Sequence, residues 1–357
     1  MDLLILFILV FIGFSYRYLR GENLAYLDSN LIPQPVGEPS EEHHAVVASL
    51  GEFAAAGRGQ RGRARLQLIR DYMETMSDDK SFGSEFRPVT QGRLRGEWVL
   101  APGADSRRRL LYIHGGAWMA GSPVSHRAIT DKLSVLADAA VFSLDYRLLP
   151  EHSRQDGIDD CRAAYQWLLT NGPEGAEVLD FMAVAGDSAG GNLTLSLLAW
   201  ARDAGLRAAD AAIALSPATD ASLTSPSLSS NVGSDPMLGP VFGKLTAIPR
   251  IFLWWGSWFS TRFRSADPVV SPLRGDLSGL PPVLIQVSEA EMLFDDTRRY
   301  VTKAQAAGSP VVMQAWPYMV HVWQIFTPEL PEAEEAYANI EEFLVSVEGR
   351  SAAVSGE

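Results

Sequence analysis

The 357-residue chain is predicted to be an α/β protein with a mostly parallel central sheet flanked by helices. Three observations carry that expectation. From about residue 96 onward, apolar runs of strand length alternate with amphipathic stretches of helix length, the pattern of a parallel sheet with crossover helices. An apolar fraction of 47% with nine tryptophans supplies a substantial core and excludes global disorder. The single cysteine, Cys161, excludes a disulfide-stapled scaffold and a zinc site built on paired cysteines. The formal charge of -13, from 30 Lys plus Arg against 43 Asp plus Glu, argues against a nucleic-acid-binding surface, which needs a basic patch.

The elements follow in chain order. Residues 1–20 begin with the uncharged run LLILFILVFIGF from Leu3 to Phe14, followed by Tyr16, Arg17, Tyr18, Leu19 and Arg20. The run is slightly shorter than the roughly 20 residues that span a bilayer. It lacks the positive n-region and the small-residue cleavage site of a secretory signal. It is therefore expected to be a hydrophobic anchor with membrane association through residues 3–19. Basic residues only on its C-terminal side place the main domain in the cytoplasm. The alternatives are a soluble cytoplasmic protein whose first helix packs on the cap, or an exported one. Residues 21–95 read as a helical, irregular cap segment without a strong strand.

The catalytic domain is expected over residues 96–348. Its strands are EWVLAP, RLLYIHGG, AAVFSLDY, FMAVAGDS, AAIALSP, PVLIQVS and PVVMQAW. Residues 222–265 interrupt the alternation with a polar, turn-rich stretch and the aromatic IFLWWGSWFSTRF. The interruption is too long for an ordinary connection and is expected to be a cap insertion. Trp254, Trp255 and Trp258 are candidates to line an acyl pocket. Residues 349–357 are expected to be a disordered tail.

The chemistry centres on Gly186-Asp187-Ser188-Ala189-Gly190, directly after an apolar run and before a helical pattern. A G-x-S-x-G between strand and helix is a nucleophile elbow, whose tight turn needs glycine on both sides of the serine. A serine hydroxyl needs an adjacent base, and in such elbows the chain order is Ser, acid, His. Of the six histidines (His43, His44, His114, His126, His152 and His321) only His321 follows Ser188. The acid that orients the imidazole should follow PVLIQVS, where Glu289, Glu291, Asp295 and Asp296 are all candidates. His114-Gly115-Gly116-Ala117-Trp118 follows another strand. The N–H groups of Gly115 and Gly116, with that of Ala189, are expected to form an oxyanion hole. His114 is expected to anchor that loop.

These motifs resemble the hormone-sensitive lipase branch of the α/β-hydrolases, through HGGAW at 114–118, DYRLLPEH at 145–152, GDSAGGN at 186–192 and SEAEMLFDD at 288–296. The resemblance covers about residues 96–345. It implies the α/β-hydrolase fold with a helical cap. Matching Leu293, Asp295 and Asp296 to the branch's acid loop places the triad acid at Glu291. The stretch after His152, SRQDGIDD, lacks the branch's F-P-A-A. The implied activity is carboxylester hydrolysis through an acyl-enzyme, on short- to medium-chain acyl esters or lipids, with neither metal nor organic cofactor. Rival readings are a lactonase, amidase or peptidase of the same fold, or a non-catalytic ligand receptor.

Overall fold

The computed structural model describes residues 3–28 and 38–355. The chain begins with α1 (Leu3–Ser15), a π-helical turn (Tyr16–Arg20), α2 (Glu41–Ala56) and α3 (Gly62–Glu74). The strands β1 (Glu85–Gln91), β2 (Leu94–Leu100) and β3 (Asp105–Ile113) follow, then α4 (Arg127–Leu136), β4 (Ala139–Leu144) and α5 (Arg154–Leu168). A two-residue hairpin, β5 (Asn171–Gly172) and β6 (Gly175–Ala176), precedes β7 (Phe181–Asp187), α6 (Ser188–Asp203) and β8 (Ala211–Leu215). Residues 222–265, the stretch expected to be a cap insertion, hold α7 (Ser227–Ser230), α8 (Leu238–Phe242) and α9 (Arg250–Thr261). Then come β9 (Val283–Ser288), α10 (Phe294–Ala306), β10 (Val311–Trp316) and α11 (Pro331–Ser355).

The eight-stranded sheet has the order β1-β2-β4-β3-β7-β8-β9-β10. Only the pairs β1–β2 and β2–β4 are antiparallel; the rest are parallel. The expected strands all form. The sheet nevertheless starts earlier than expected, because the mixed-charge stretch EFRPVTQ makes an edge strand with most of its residues at least partly exposed. None of its seven residues is buried, so its positions place no demand for apolar side chains, unlike those of the other edge strand, β10.

The central strands β4, β7, β8 and β9 are buried at every position, which is why they read as continuous apolar runs. Successive side chains still alternate between two cores. On one face Leu111, Ile113, Phe142 and Val184 meet Ile158 of α5, Leu193 of α6 and Tyr300 of α10. On the other, Leu110, Tyr112, Val141 and Ala183 meet Ile129 of α4 and Tyr337, Ile340 and Leu344 of α11.

The expectation of a membrane anchor does not hold. No helix among the described residues is long and apolar enough to cross a membrane. The first helix has only 13 residues, and its last turns pack against the cap. Phe11 stacks on Trp255 with ring centroids 5.7 Å apart, and the Trp255 indole N–H donates to Ser15 Oγ at 3.0 Å. Leu19 is fully buried, and its carbonyl accepts from Ala266 N at 2.8 Å. The far end is also more regular than expected: α11 runs on to Ser355, and residues 356–357 lie outside the described residues.

Candidate active site

Parallel strands end on a common edge, and ligands bind outside their carboxyl ends. Here β3 leads into His114, β7 into Ser188, β8 into Ser216, β9 into the Glu289–Leu293 loop, and β10 into the loop carrying His321. Residues far apart in sequence therefore converge at one edge.

Ser188 is the first residue of α6 and has φ +51°, a left-handed conformation imposed by the sharp strand-to-helix turn. The turn exists only because its neighbours are small. A Cβ on Gly190 would lie 1.8 Å from the Ile113 carbonyl oxygen, and one on Gly186 would lie 2.6 Å from that same atom. The elbow thus packs directly on the end of β3, which brings the HGGAW loop alongside it.

His321 Nε2 lies 2.8 Å from Ser188 Oγ, and His321 Nδ1 lies 3.2 Å from Glu291 Oε2. Both His321 and Glu291 are buried, and Glu291 has no exposed surface. Burial by itself lowers the pKa of His321, but the nearby carboxylates of Glu291, Asp235 and Asp187 outweigh it and raise the pKa above its ordinary value. Burial raises the pKa of Glu291, with His321 opposing the shift. Glu291 Oε1 is buried without a hydrogen-bond partner at standard geometry, although the Ser216 hydroxyl lies close enough to favour the ionised form.

The other acid candidates do not meet His321. Asp295 Oδ2 accepts from Ser227 N at 2.9 Å, and Asp296 Oδ2 accepts from the N–H groups of Thr219 and Asp220 at 3.0 and 3.1 Å. Both carboxylates hold cap and loop backbone. Glu289 is partly exposed, and burial raises its pKa.

The HGGAW loop departs from the expected donor set. Gly115 N–H donates to Asp187 Oδ1 at 2.9 Å, and Tyr112 Oη donates to the same oxygen at 2.6 Å. That amide is therefore committed to Asp187 and not directed at substrate. The next two residues, Gly116 with φ +104° and Ala117 with φ +54°, are both left-handed. Neither of their N–H groups donates to another group among the described residues. Consecutive residues of this kind form an anion-binding concavity. Ala189 N–H, in the first turn of α6, belongs to the N–H groups that a helix leaves unpaired. Trp118 Nε1 donates to Ala189 O at 3.2 Å and ties the loop to the elbow.

His114 is a loop anchor in geometry. Its Nδ1 bonds Gly115 O at 2.8 Å, its ring stacks on Tyr146 at 4.4 Å, and burial lowers its pKa to about 3. Cys161 is buried, which pushes its thiol well above the usual range. Among the described residues no group of three or more His, Cys, Asp and Glu is arranged to hold a metal ion.

Two apolar cavities flank Ser188. One, of about 170 Å³, lies under the cap insertion and is lined by Leu223, Leu228, Leu245, Leu253 and Met292. The other, of about 360 Å³, is closed by α2 and α3 through Phe53, Leu66, Ile69 and Tyr72 and reaches His321. Ala117, Ser188, Leu238 and Phe242 line both. The three tryptophans expected at the acyl pocket line neither. Trp254 is buried with its N–H on Ser222 O at 2.8 Å, and Trp255 and Trp258 pack together on the side facing α1.

A model of the α/β-hydrolase fold family matches residues 110–325. The chain also aligns with the bacterial hormone-sensitive lipase family: the crystal structure of an esterase from that family superposes with a TM-score of 0.74 at 34% identity, covering 86% of this chain and 98% of the other. The chain belongs to the hormone-sensitive lipase branch of the α/β-hydrolases. Among sequence relatives of this branch member, an acetyl-hydrolase of Streptomyces hygroscopicus is 38% identical over 262 residues, 73% of this chain and 83% of the relative. An esterase of Acinetobacter venetianus is 34% identical over 264 residues, 74% of this chain and 83% of the relative. The crystal structure of EstE5 soaked with p-nitrophenyl butyrate has a TM-score of 0.74 at 34% identity, covering 86% of this chain and 99% of that one. The expected branch and fold class are both borne out.

Proposed function

We propose that this carboxylic ester hydrolase is a serine enzyme working through an acyl-enzyme on short- to medium-chain acyl esters. The observation that carries the reading is the hydrogen-bonded line Ser188–His321–Glu291, set between two apolar cavities at the carboxyl edge of the sheet. Ser188 Oγ attacks the ester carbonyl carbon while His321 Nε2 takes the hydroxyl proton. Glu291 holds the imidazole with Nδ1 protonated and stabilises its cationic form. The N–H groups of Gly116, Ala117 and Ala189 receive the oxyanion; each such donor contributes about 10²–10³ in rate. The tetrahedral intermediate expels the alcohol, which leaves with the proton from His321. Water then repeats the sequence on the acyl-enzyme and releases the acid and Ser188.

The acyl and alcohol halves of the ester would occupy the two cavities, whose shared walls meet at Ser188. The names of the relatives, an esterase and an acetyl-hydrolase, are in keeping with a small acyl group. The test is a series of p-nitrophenyl acyl esters with mass spectrometry of the protein after a phosphonate inhibitor. Hydrolysis favouring short and medium chains, with one phosphonyl group on Ser188, is expected. Ser188→Ala should cost at least about 10⁴-fold in kcat. Full activity in that variant, or no hydrolysis at any chain length, would overturn the reading.

A further inference from the structure

The polar stretch of the cap insertion, SPSLSSNVGSDP, lies against the loop that carries Glu291. Four successive residues of that loop have a main-chain group held by a cap side chain. Asn231 Nδ2 donates to Glu289 O at 2.9 Å and to Glu291 O at 3.0 Å. Ser234 Oγ donates to Ala290 O at 2.9 Å. Asp235 Oδ2 accepts from Met292 N at 2.9 Å, and Ser227 Oγ donates to Met292 O at 2.8 Å. Within the loop itself, the Glu291 N–H has only a 3.4 Å bond to Ser288 O. The loop also holds itself through Ala290 N–H to Ser288 Oγ at 3.1 Å and Phe294 N–H to Glu291 O at 3.3 Å, and the cap side chains add five bonds to the backbone around Glu291.

We propose that Asp235, with Asn231, is a positioning residue of the triad, holding the Glu291 loop in the conformation that lets the Glu291 carboxylate reach His321. The inference rests on the serine-hydrolase reading. Asp235 is suited to the task because it is buried and uses both carboxylate oxygens. Oδ2 takes Met292 N–H, while Oδ1 takes Met237 N–H at 3.1 Å and Leu238 N–H at 2.8 Å. One carboxylate therefore joins the acid loop to the start of α8, whose Leu238 and Phe242 line both cavities. Substrate contacts on the cap and the orientation of Glu291 share a rigid link. The site tolerates little slack, since a misplacement of about 1 Å at a catalytic group costs on the order of 10²-fold.

Asp235 also brings a negative charge toward His321. The charged groups facing the imidazole are Glu291 from the acid loop, Asp235 from the cap and Asp187 from the elbow strand, with His126 Nε2 3.4 Å from Asp187 Oδ2 on its far side. All three carboxylates favour the protonated ring. Removing one should lower the pH at which His321 protonates. A shift of that pH in a variant that leaves the charge unchanged, at Asn231, reports Glu291 leaving the imidazole, which loss of a side chain that only braced the fold would not cause.

The decisive experiment uses the full chain with p-nitrophenyl butyrate between pH 5 and 9, comparing wild type, Asp235→Asn, Asn231→Ala and Ser188→Ala. An asparagine at 235 offers one acceptor oxygen and no charge, and alanine at 231 removes two bonds without changing charge. Both variants should lose about tenfold in kcat, with KM within about twofold. Both should move the acid limb of kcat/KM down, Asp235→Asn the further of the two, by about half a pH unit. The strongly deshielded proton NMR resonance of His321 Nδ1–H should weaken in both. Values of kcat within twofold of wild type in both variants overturn the proposal. So does a loss of kcat with the resonance intact and the limb unmoved. Should Asp235→Asn fail to fold, the kcat-against-KM split and the resonance in Asn231→Ala decide alone. Absence of hydrolysis by wild type, or full activity in Ser188→Ala, would instead condemn the catalytic reading, and the resonance would then test the positioning by itself.

Discussion

His321 illustrates how one residue's behaviour departs from its reference chemistry. A free imidazole protonates near ~6.5. Here burial pulls the value down, and the carboxylates of Glu291, Asp235 and Asp187 pull it up further than that. In the proposed mechanism the base must be neutral to accept the Ser188 proton, so activity should be lost as pH falls through the raised pKa. The acid limb of kcat/KM is therefore expected above pH 6.5, and a limb at or below that value in a pH–rate profile would refute the assignment. That His321 is the histidine that meets Ser188 was legible in the sequence from chain order alone. That Gly115 N–H is spent on Asp187 was not legible, because it depends on how β3 and the elbow pack. A motif specifies which backbone can turn, and the neighbouring strand specifies which N–H is left for substrate.

At the scale of elements, the strands were readable because sheets buried on both faces demand continuous apolar runs. The edge strand β1 was not, because it has no such demand. Composition marked residues 222–265 as a break in the strand–helix alternation, but the tryptophans there do not line the cavities beside Ser188. The aromatic helix α9 was expected at the acyl pocket, and its tryptophans instead bury one another and the end of α1. Less conspicuous residues form the pocket walls. Phe242 of α8 lines both cavities beside Ser188. Phe242→Ala should merge them and shift the preferred acyl chain upward, raising kcat/KM on p-nitrophenyl decanoate relative to butyrate by about tenfold, the size of about 1.4 kcal/mol of added apolar burial. An unchanged chain-length profile would show that the acyl group does not reach this wall.

For the molecule as a whole, the N-terminal run is the clearest case in which a local pattern and the fold disagree. Twelve uncharged apolar residues read as a membrane element. The folded helix is 13 residues long and uses its final turns as a brace for the cap through Phe11, Phe14 and Ser15 on Trp255. Trp255→Ala should therefore cost about 2 kcal/mol of stability and lower Tm by a few degrees. It should leave kcat on p-nitrophenyl butyrate within about twofold, since Trp255 lines neither cavity at Ser188. Thermal melts and steady-state rates on the same preparation would check both halves, and a large loss of kcat at unchanged Tm would contradict the division of labour.

The sequence by itself determined the sheet, the elbow, the histidine that meets Ser188 and, with the branch's pattern, the carboxylate that meets that histidine. Each depends on a local rule: strand burial, a turn that only glycine permits, or the order of residues along one chain. The tertiary structure decided which of the amides beside Ser188 are already paired, which residues line the cavities, what the first helix rests on, and which side chains bond the backbone around Glu291. Those outcomes depend on contacts between segments tens to hundreds of residues apart, and no local periodicity records them.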